Sequence, residues 1–140
     1  MPASDFYHDQ VVRALQADGW TITADPLHIS YAEQNYYVDL GAERNLLAAE
    51  KGTETIAVEI KSFLSRSHTT DLRDAIGQFN LYRDILKLSK PECRLFLAID
   101  TKIYDHLFAG KYGHFVIKMQ KLNLIVFDAA QERIIEWLKQ

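Results

Sequence analysis

Residues 53–63 read TETIAVEIKSF, and their alternating, β-branched character is typical of a β-strand. Successive side chains of a strand point to opposite faces. The first face is apolar and holds Ile56, Val58 and Ile60. The second face holds Ala57, Glu59, Lys61 and Phe63. Charged groups on a strand with this apolar character are costly to remove from water unless they are paired or bind a ligand. Glu59 and Lys61 are therefore candidates for function.

The sequence before this strand predicts a helix followed by further strands. The helix is expected to begin at an N-cap of Ser4 or Asp5 and to stop at Gly19. Strands are then predicted at WTITAD (20–25), at 27–31, at NYYVDL (35–40) and at NLLAAE (45–50). The last of these would form a hairpin with residues 53–63 through a turn at Lys51-Gly52.

The sequence after this strand predicts alternating helices and strands. A long helix is expected from Thr70 to Leu88, capped by Thr69 or Thr70. Further elements are expected as a buried strand RLFLAI (94–99), a helix near 102–108, helix breakers at Gly110 and Gly113, and a strand LNLIVFD (122–128). The closing ERIIEWL fits a strand or a short helix. We therefore expect an α/β protein whose helices flank one mixed sheet.

Length and composition limit the class of protein. A chain of 140 residues corresponds to one domain, here 1–140, and 48% hydrophobic with 25% charged residues excludes disorder, collagen and coiled coil. The net charge of −3 argues against holding nucleic acid by bulk charge alone. A nucleic-acid role would thus need a local patch, a cation or a partner. A single Cys93, no secretory signal and no membrane-length apolar run predict a cytoplasmic location with no membrane contact.

A second acidic residue can meet Glu59. Asp39 lies twenty residues earlier, and antiparallel strands in the right register would place the two side by side. Two adjacent carboxylates repel unless a cation lies between them. Mg²⁺ is the expected ion because it prefers carboxylate oxygens and retains water ligands. Lys61 would then orient an attacking water or stabilise charge on a phosphate.

The pattern Asp39…Glu59-Ile60-Lys61, followed by Gln78 and Tyr82 on one face of the long helix, resembles the PD-(D/E)XK nuclease superfamily. Along the whole chain the sequence resembles the XisH family of fdxN element excision controlling factors. The segments that carry this likeness are MPASDFYHDQVVRALQADGWTITADPL, YYVDLGAE, AVEIKSF, LRDAIGQFNLYRDIL and LIVFD.

These resemblances imply a restriction-endonuclease-like αβββαβ core and a metal-dependent cut in DNA during excision of a DNA element. Asp39, Glu59 and the Ile60 carbonyl would hold Mg²⁺ or Mn²⁺. Lys61 and Gln78 would be catalytic, and Tyr82 would contact DNA. Arg66 would do so too, within a segment (61–94) of seven basic against four acidic residues. The implied partners are DNA, an XisI-like companion and a site-specific recombinase. A second copy of the chain is a further expected partner, because apolar surface on the late strands or around Trp137 would allow pairing.

Other interpretations remain open. Residue 38 is Val where the superfamily often has Pro, and the first helix offers His8 and Asp9 in place of its usual Glu. Glu50 is a further acid that would pair with Lys61 or lie at a solvated strand end. Asp39, Glu59 and Lys61 would also fit a buried ion-pair cluster without a ligand, and Tyr82 would also fit a ring packed on the sheet. At the level of function, the alternatives are a non-catalytic accessory protein that binds XisI or a recombinase, and a hydrolase of RNA or nucleotides.

Overall fold

The structure is a computed structural model that describes residues 5–45 and 52–140. The helices are α1 (His8–Ala17), α2 (His68–Ser89), α3 (Thr101–Ile103) and α4 (Lys111–Gln120), with a π-helical segment (Tyr104–Phe108) before α4. The strands are β1 (Thr21–Ala24), β2 (Leu27–Tyr31), β3 (Gln34–Val38), β4 (Leu40–Asn45), β5 (Thr53–Ile60), β6 (Cys93–Asp100), β7 (Leu124–Asp128) and β8 (Arg133–Leu138). The candidate cap Ser4, residues 46–50 of the predicted strand at 45–50 (which include the acid Glu50) and the turn residue Lys51 lie outside the described residues.

Six strands form one mixed sheet in the order β1-β4-β5-β6-β7-β8, and β2 and β3 form a separate hairpin. The inner strands β5, β6 and β7 are parallel, whereas β1, β4 and β8 are added antiparallel. This arrangement confirms the predicted α/β class with a mixed central sheet flanked by helices. In the part of the chain that the structure describes, no helix is long and apolar enough to cross a membrane.

The core has two layers, one on each side of β5. Ile56, Val58 and Ile60 pack in the layer that holds Val11 and Leu15 of α1. Ala57 belongs to the opposite layer, together with the buried side chains of α2 and α4. The two faces predicted for residues 53–63 are therefore the two faces in the structure, and Glu59 lies on the side covered by α2.

Several predicted boundaries are wrong for reasons that lie in tertiary packing. The segment from Leu40 to Asn45 is a strand although it has no β-branched residue, because it is paired on both sides by β1 and β5. Gly113 is not a breaker but a buried position inside α4. A Cβ atom there would lie 2.2 Å from the Cα of Phe108. The closing ERIIEWL contains strand β8.

The helix caps also differ from the prediction. Ser67, rather than Thr69 or Thr70, caps α2, and its hydroxyl accepts a hydrogen bond from the Thr70 amide at 3.1 Å. At α1 the residue before the first helical position is Tyr7, whose amide donates to the Asp5 carboxylate at 2.9 Å. Gly19 does end the first helix, with a φ of +94° that suits glycine after a helix C-terminus.

Candidate functional site

Asp39 and Glu59 face one another across two neighbouring strands. The pairing of β4 with β5 runs from Asn45↔Thr53 to Leu40↔Val58, so its next step places Asp39 opposite Glu59. The Asp39 amide donates to Glu59 Oε1 at 3.2 Å, and the Ile60 amide donates to Asp39 Oδ2 at 2.7 Å. Each carboxylate is thus fixed by the backbone of the other strand.

The chain changes its strand partner at Asp39. β3, which ends at Val38, pairs with β2 in the hairpin, whereas β4, which begins at Leu40, pairs with β5 in the main sheet. Asp39 is the single residue between them. Glu59 comes near the end of β5, where the parallel strands of the sheet finish. Ligands bind at such carboxyl ends of parallel strands in many α/β proteins.

A cavity of about 220 Å³ opens beside the two acids. Six of the seven predicted site residues line it, namely Asp39, Glu59, Ile60, Lys61, Gln78 and Tyr82. The structure therefore brings together, from three elements and the junctions between them, residues that are up to 43 positions apart in sequence. The functional roles of these residues stay predictions.

Lys61 lies next to the acids. Its Nζ is 3.7 Å from Glu59 Oε2, as expected for side chains two positions apart on one strand face. Its amide donates to the Ala98 carbonyl at 3.1 Å, which extends the ladder between β5 and β6 beyond Ile60. The ammonium group is part-buried, so it faces both Glu59 and the cavity.

Gln78 and Tyr82 come from α2, one turn apart. The side-chain oxygen of Gln78 is buried and has no hydrogen-bond partner among the described residues. Such an atom costs free energy unless a ligand or water satisfies it. The ring of Tyr82 packs 5.8 Å from the ring of Tyr36 in the hairpin, and Tyr82 also lines the cavity.

Two lining residues were missed by the sequence analysis. Tyr37 comes from β3, and Asp5 comes from the segment before α1. Asp5 Oδ2 accepts a hydrogen bond from the Ser62 amide at 3.2 Å, which ties this segment to the chain just after Lys61. Only the position of Asp5 as a possible helix cap singled it out in the sequence.

The other acidic and basic candidates lie outside the cavity. The structure places His8 in the interior, where its Nε2 is 2.8 Å from Asp25 Oδ1, and not at an exposed helix start. Asp9 is exposed on α1. Arg66 is exposed in the loop before α2 and does not line the cavity.

Burial dominates the electrostatics of the acidic pair. The pKa of Glu59 is raised from 4.5 to about 8, mainly by burial and then by the charge of Asp39, while Lys61 opposes the shift. Burial also raises the pKa of Asp39, against hydrogen bonds from Ile60 and Glu59. The pair therefore retains a proton at neutral pH when no cation is bound. The pKa of Tyr82 is raised by burial and then by Glu59 and Asp39.

A metal ion would have few protein ligands here. Among residues 5–45 and 52–140, no three His, Cys, Asp or Glu side chains gather closely enough to hold one ion. Two carboxylates are still sufficient for Mg²⁺, which keeps several waters and is often bound through one or two acidic residues. Ile60 lines the same cavity, and its carbonyl is the further oxygen donor predicted from the sequence.

Comparison with known proteins places the chain in a family. A family profile described as "XisH protein" matches residues 1–135. The chain is 37% identical to an XisH family protein from Nostoc punctiforme, with a TM-score of 0.86 over 96% of this chain and 100% of that one. It is 35% identical to an fdxN element excision controlling factor protein from Anabaena variabilis, with a TM-score of 0.87 over 97% and 100%. No curated protein matches it. The chain belongs to the XisH family.

Proposed function

We propose that this protein is a metal-dependent DNA endonuclease that acts in the excision of a DNA element. The observation that carries the proposal is the pair Asp39 and Glu59, a half-buried and a buried carboxylate held opposite one another in the lining of a polar cavity. Keeping two acids together in this way costs stability. A bound cation offsets that cost, and a site for one is the simplest reason for the arrangement.

The residues present suit Mg²⁺ or Mn²⁺. Asp39 and Glu59 would supply carboxylate oxygens, and the Ile60 carbonyl would add a neutral one. Such an ion lowers the pKa of bound water and neutralises charge on a phosphate. Its other positions would be filled by water and substrate.

The remaining side chains have roles that follow from their positions. Lys61, a cation beside Glu59, would orient the attacking water and stabilise negative charge on the phosphate. The unpartnered oxygen of Gln78 would accept a hydrogen bond from that water. Tyr82, whose raised pKa keeps its hydroxyl protonated, would donate to the DNA backbone.

The choice of DNA as substrate is supported by the relatives. The Anabaena variabilis protein is described as a controlling factor of element excision, which is a process of DNA cutting and rejoining. The likeness of Asp39…Glu59-Ile60-Lys61 to the PD-(D/E)XK pattern supports the same choice.

Plasmid nicking tests this proposal. Purified protein with Mg²⁺ or Mn²⁺ is expected to convert supercoiled DNA to open circles, and EDTA is expected to stop it. Glu59→Gln should abolish nicking. Glu43→Gln, on the exposed side of β4, is the matched control and should retain it. Equal nicking by the Glu59→Gln variant would contradict the assignment of the site.

The description of the relative also favours a second candidate function. A "controlling factor" can act by binding, and a chain with a net charge of −3 has little bulk attraction for DNA. In this function the protein binds an XisI-like companion or a recombinase, without cutting DNA itself. Pull-down with a purified companion separates the two functions, because binding that persists in an Asp39→Asn/Glu59→Gln variant, with no nicking by the wild type, would support the second.

A further inference from the structure

The β2–β3 hairpin has one face packed on the core and one open face. Ile29 and Val38 are buried in the same core layer as α2, and Leu27 and Tyr36 pack against that layer. The ring of Tyr36 lies 5.8 Å from that of Tyr82 on α2. Because side chains alternate along a strand, the residues between these four form the other face. The hairpin is therefore held against α2 and turns its second face outwards.

The open face consists of His28, Ser30, Asn35 and Tyr37, which pair across the strands as His28↔Tyr37 and Ser30↔Asn35. Ser30 is half-buried and the other three are exposed. The rings of His28 and Tyr37 lie 5.3 Å apart, and His28 Nε2 is 2.7 Å from Asn35 Oδ1. The His28 ring therefore supports the Tyr37 ring from one side, and Asn35 holds the His28 ring in turn.

Tyr37 joins this open face to the cavity of the acidic pair. It lines that cavity together with Asp39, Glu59 and Lys61, yet 42% of its surface remains exposed. Tyr37 precedes Asp39 by two positions, and an extended strand covers about 7 Å in that distance. A group bound on the Tyr37 ring would thus lie next to a group bound at the carboxylates.

The charges of the cavity and of the hairpin differ. Three acids line the cavity, namely Asp5, Asp39 and Glu59, against the single cation Lys61. The open face of the hairpin has no acid, and residues 14–43 contain neither lysine nor arginine. A phosphate on this face would find none of the cationic side chains of the hairpin or its flanking strands that usually bind it. An uncharged ring system suits the open face better.

We infer that Tyr37 binds substrate by stacking, with its ring against the base of a nucleotide whose phosphate lies at the acidic pair, and that His28 is a positioning residue for this ring. Aromatic side chains stack on bases in proteins that bind single strands, and every base has a π-face to offer. The inference rests on the proposed function for its choice of nucleic acid as ligand. It adds the orientation of the substrate, with the phosphate towards Asp39 and Glu59 and the base towards the hairpin.

The base must be free of its neighbours to meet the ring. A base inside a duplex has both faces covered, and taking it out of the stack costs free energy. A single strand offers its bases at lower cost, so it is the probe of choice. The Tyr37 hydroxyl could instead donate to a phosphate, and that contact would depend on the oxygen rather than on the ring.

Fluorescence anisotropy with two labelled probes of equal length tests the stacking. One probe is single-stranded oligo-dT, and the other is the same sugar-phosphate chain without bases. Both are measured in Ca²⁺, which takes carboxylate oxygens as Mg²⁺ does. The wild type is expected to bind oligo-dT at least about fivefold more tightly than the abasic chain. Tyr37→Ala should lose this preference, while its affinity for the abasic chain stays that of the wild type, which also shows that the variant is folded.

Three further variants separate the ring from its surroundings. Tyr37→Phe removes only the hydroxyl and should keep the full preference for oligo-dT. Tyr31→Ala, at a 56% exposed ring on the other face of the same hairpin, is the matched control and should keep it as well. His28→Ala should reduce the preference without changing the affinity for the abasic chain. His28→Phe, which returns a ring to the position beside Tyr37, should restore it.

Some outcomes would overturn the inference whether or not the protein nicks plasmid. Equal binding of oligo-dT by the wild type and Tyr37→Ala would do so, as would an absence of oligo-dT binding by the wild type. An equal loss of both probes in Tyr37→Phe would also overturn it, because the hydroxyl would then be bonded to phosphate. A wild type that binds oligo-dT through Tyr37 but nicks nothing would contradict the proposed function and leave this inference in place.

Discussion

The carboxylates of Asp39 and Glu59 are fixed reciprocally, each by a backbone amide of the opposite strand. Glu59 accepts from the Asp39 amide, and Asp39 accepts from the amide of Ile60, the residue after Glu59. Such bonds hold the acids together despite their repulsion, and they leave neither free to turn away. Under the proposed function, the two carboxylates would already be in place when a cation binds.

Replacing Glu59 with Gln is expected to stabilise the protein without metal. The pKa of Glu59 is about 8 in the folded state and near 4.5 in the unfolded chain, so the folded state binds the extra proton. The stability that protonated Glu59 contributes to the fold is fully present below about pH 4.5. It is lost as the pH rises towards 8. Urea denaturation in EDTA should show the Gln variant equal to wild type near pH 4. At pH 8 it should be more stable by about 1–3 kcal/mol.

A loss of stability in the Glu59→Gln variant at pH 8 would contradict this prediction. A pair that served only to stabilise the sheet would lose stability when Glu59 is replaced, at pH 8 most of all. Glu43→Gln, at an exposed position of β4, controls for the change of charge and should show no such pH dependence.

Lys61→Met is expected to reduce nicking while leaving the cation site in place. The ammonium lies 3.7 Å from Glu59 and lines the cavity, so its charge would act on the phosphate rather than hold the metal. Loss of one such stabilising group costs about 100- to 1,000-fold in rate. Nicking time courses measure this effect. Lys102→Met, on the exposed surface of α3, is the control and should keep the wild-type rate.

Asp5→Ala is expected to lower the free energy of unfolding, although Asp5 is far in sequence from the other residues that line the cavity. Its carboxylate accepts from the amides of Tyr7 and Ser62, and so joins the start of α1 to the chain beyond Lys61. Loss of both hydrogen bonds should cost about 1–3 kcal/mol in urea denaturation. Asp9→Ala, an exposed acid in the first turn of α1, should cost less than 1 kcal/mol. Equal losses would show that Asp5 does not anchor this segment.

Two glycines on neighbouring helices should respond in opposite directions to replacement by alanine. A Cβ at Gly113 would lie 2.2 Å from Phe108 Cα and 2.5 Å from the Leu107 carbonyl oxygen, so Gly113→Ala should destabilise by about 2 kcal/mol or more. A Cβ at Gly77, in α2, meets nothing within 4 Å. Gly77→Ala should stabilise by about 0.5–1 kcal/mol, because alanine favours helix. Thermal melting should show a lower melting temperature for Gly113→Ala and a higher one for Gly77→Ala.

The sequence was sufficient where local pattern and tertiary burial agree. Alternation along residues 53–63 gave the two faces of β5, and the same alternation placed Glu59 and Lys61 together on the face towards α2. The pairing of Asp39 with Glu59 needed only one antiparallel register. The resemblance to the PD-(D/E)XK superfamily singled out Gln78 and Tyr82, and their spacing of four residues placed them on one face of the long helix. The location of each of these residues depends either on residues close to it in sequence or on the pairing of two strands.

The sequence was insufficient where contacts between distant segments overrule local preference. Gly113 has the local signature of a breaker, and only the close approach of Phe108 explains its place inside α4. Leu40 to Asn45 has weak β propensity and becomes a strand through its two partners. Asp5 reaches the cavity because its segment docks on residue 62, a contact across 57 positions that no local pattern shows.

The most direct test of the central claim is calorimetric titration of Mn²⁺ into the wild type, the Asp39→Asn/Glu59→Gln variant and the Glu43→Gln control. We expect one Mn²⁺ bound per chain by the wild type and the control, and none by the double variant. Equal Mn²⁺ binding in all three proteins, or binding in none, would show that Asp39 and Glu59 do not form a cation site.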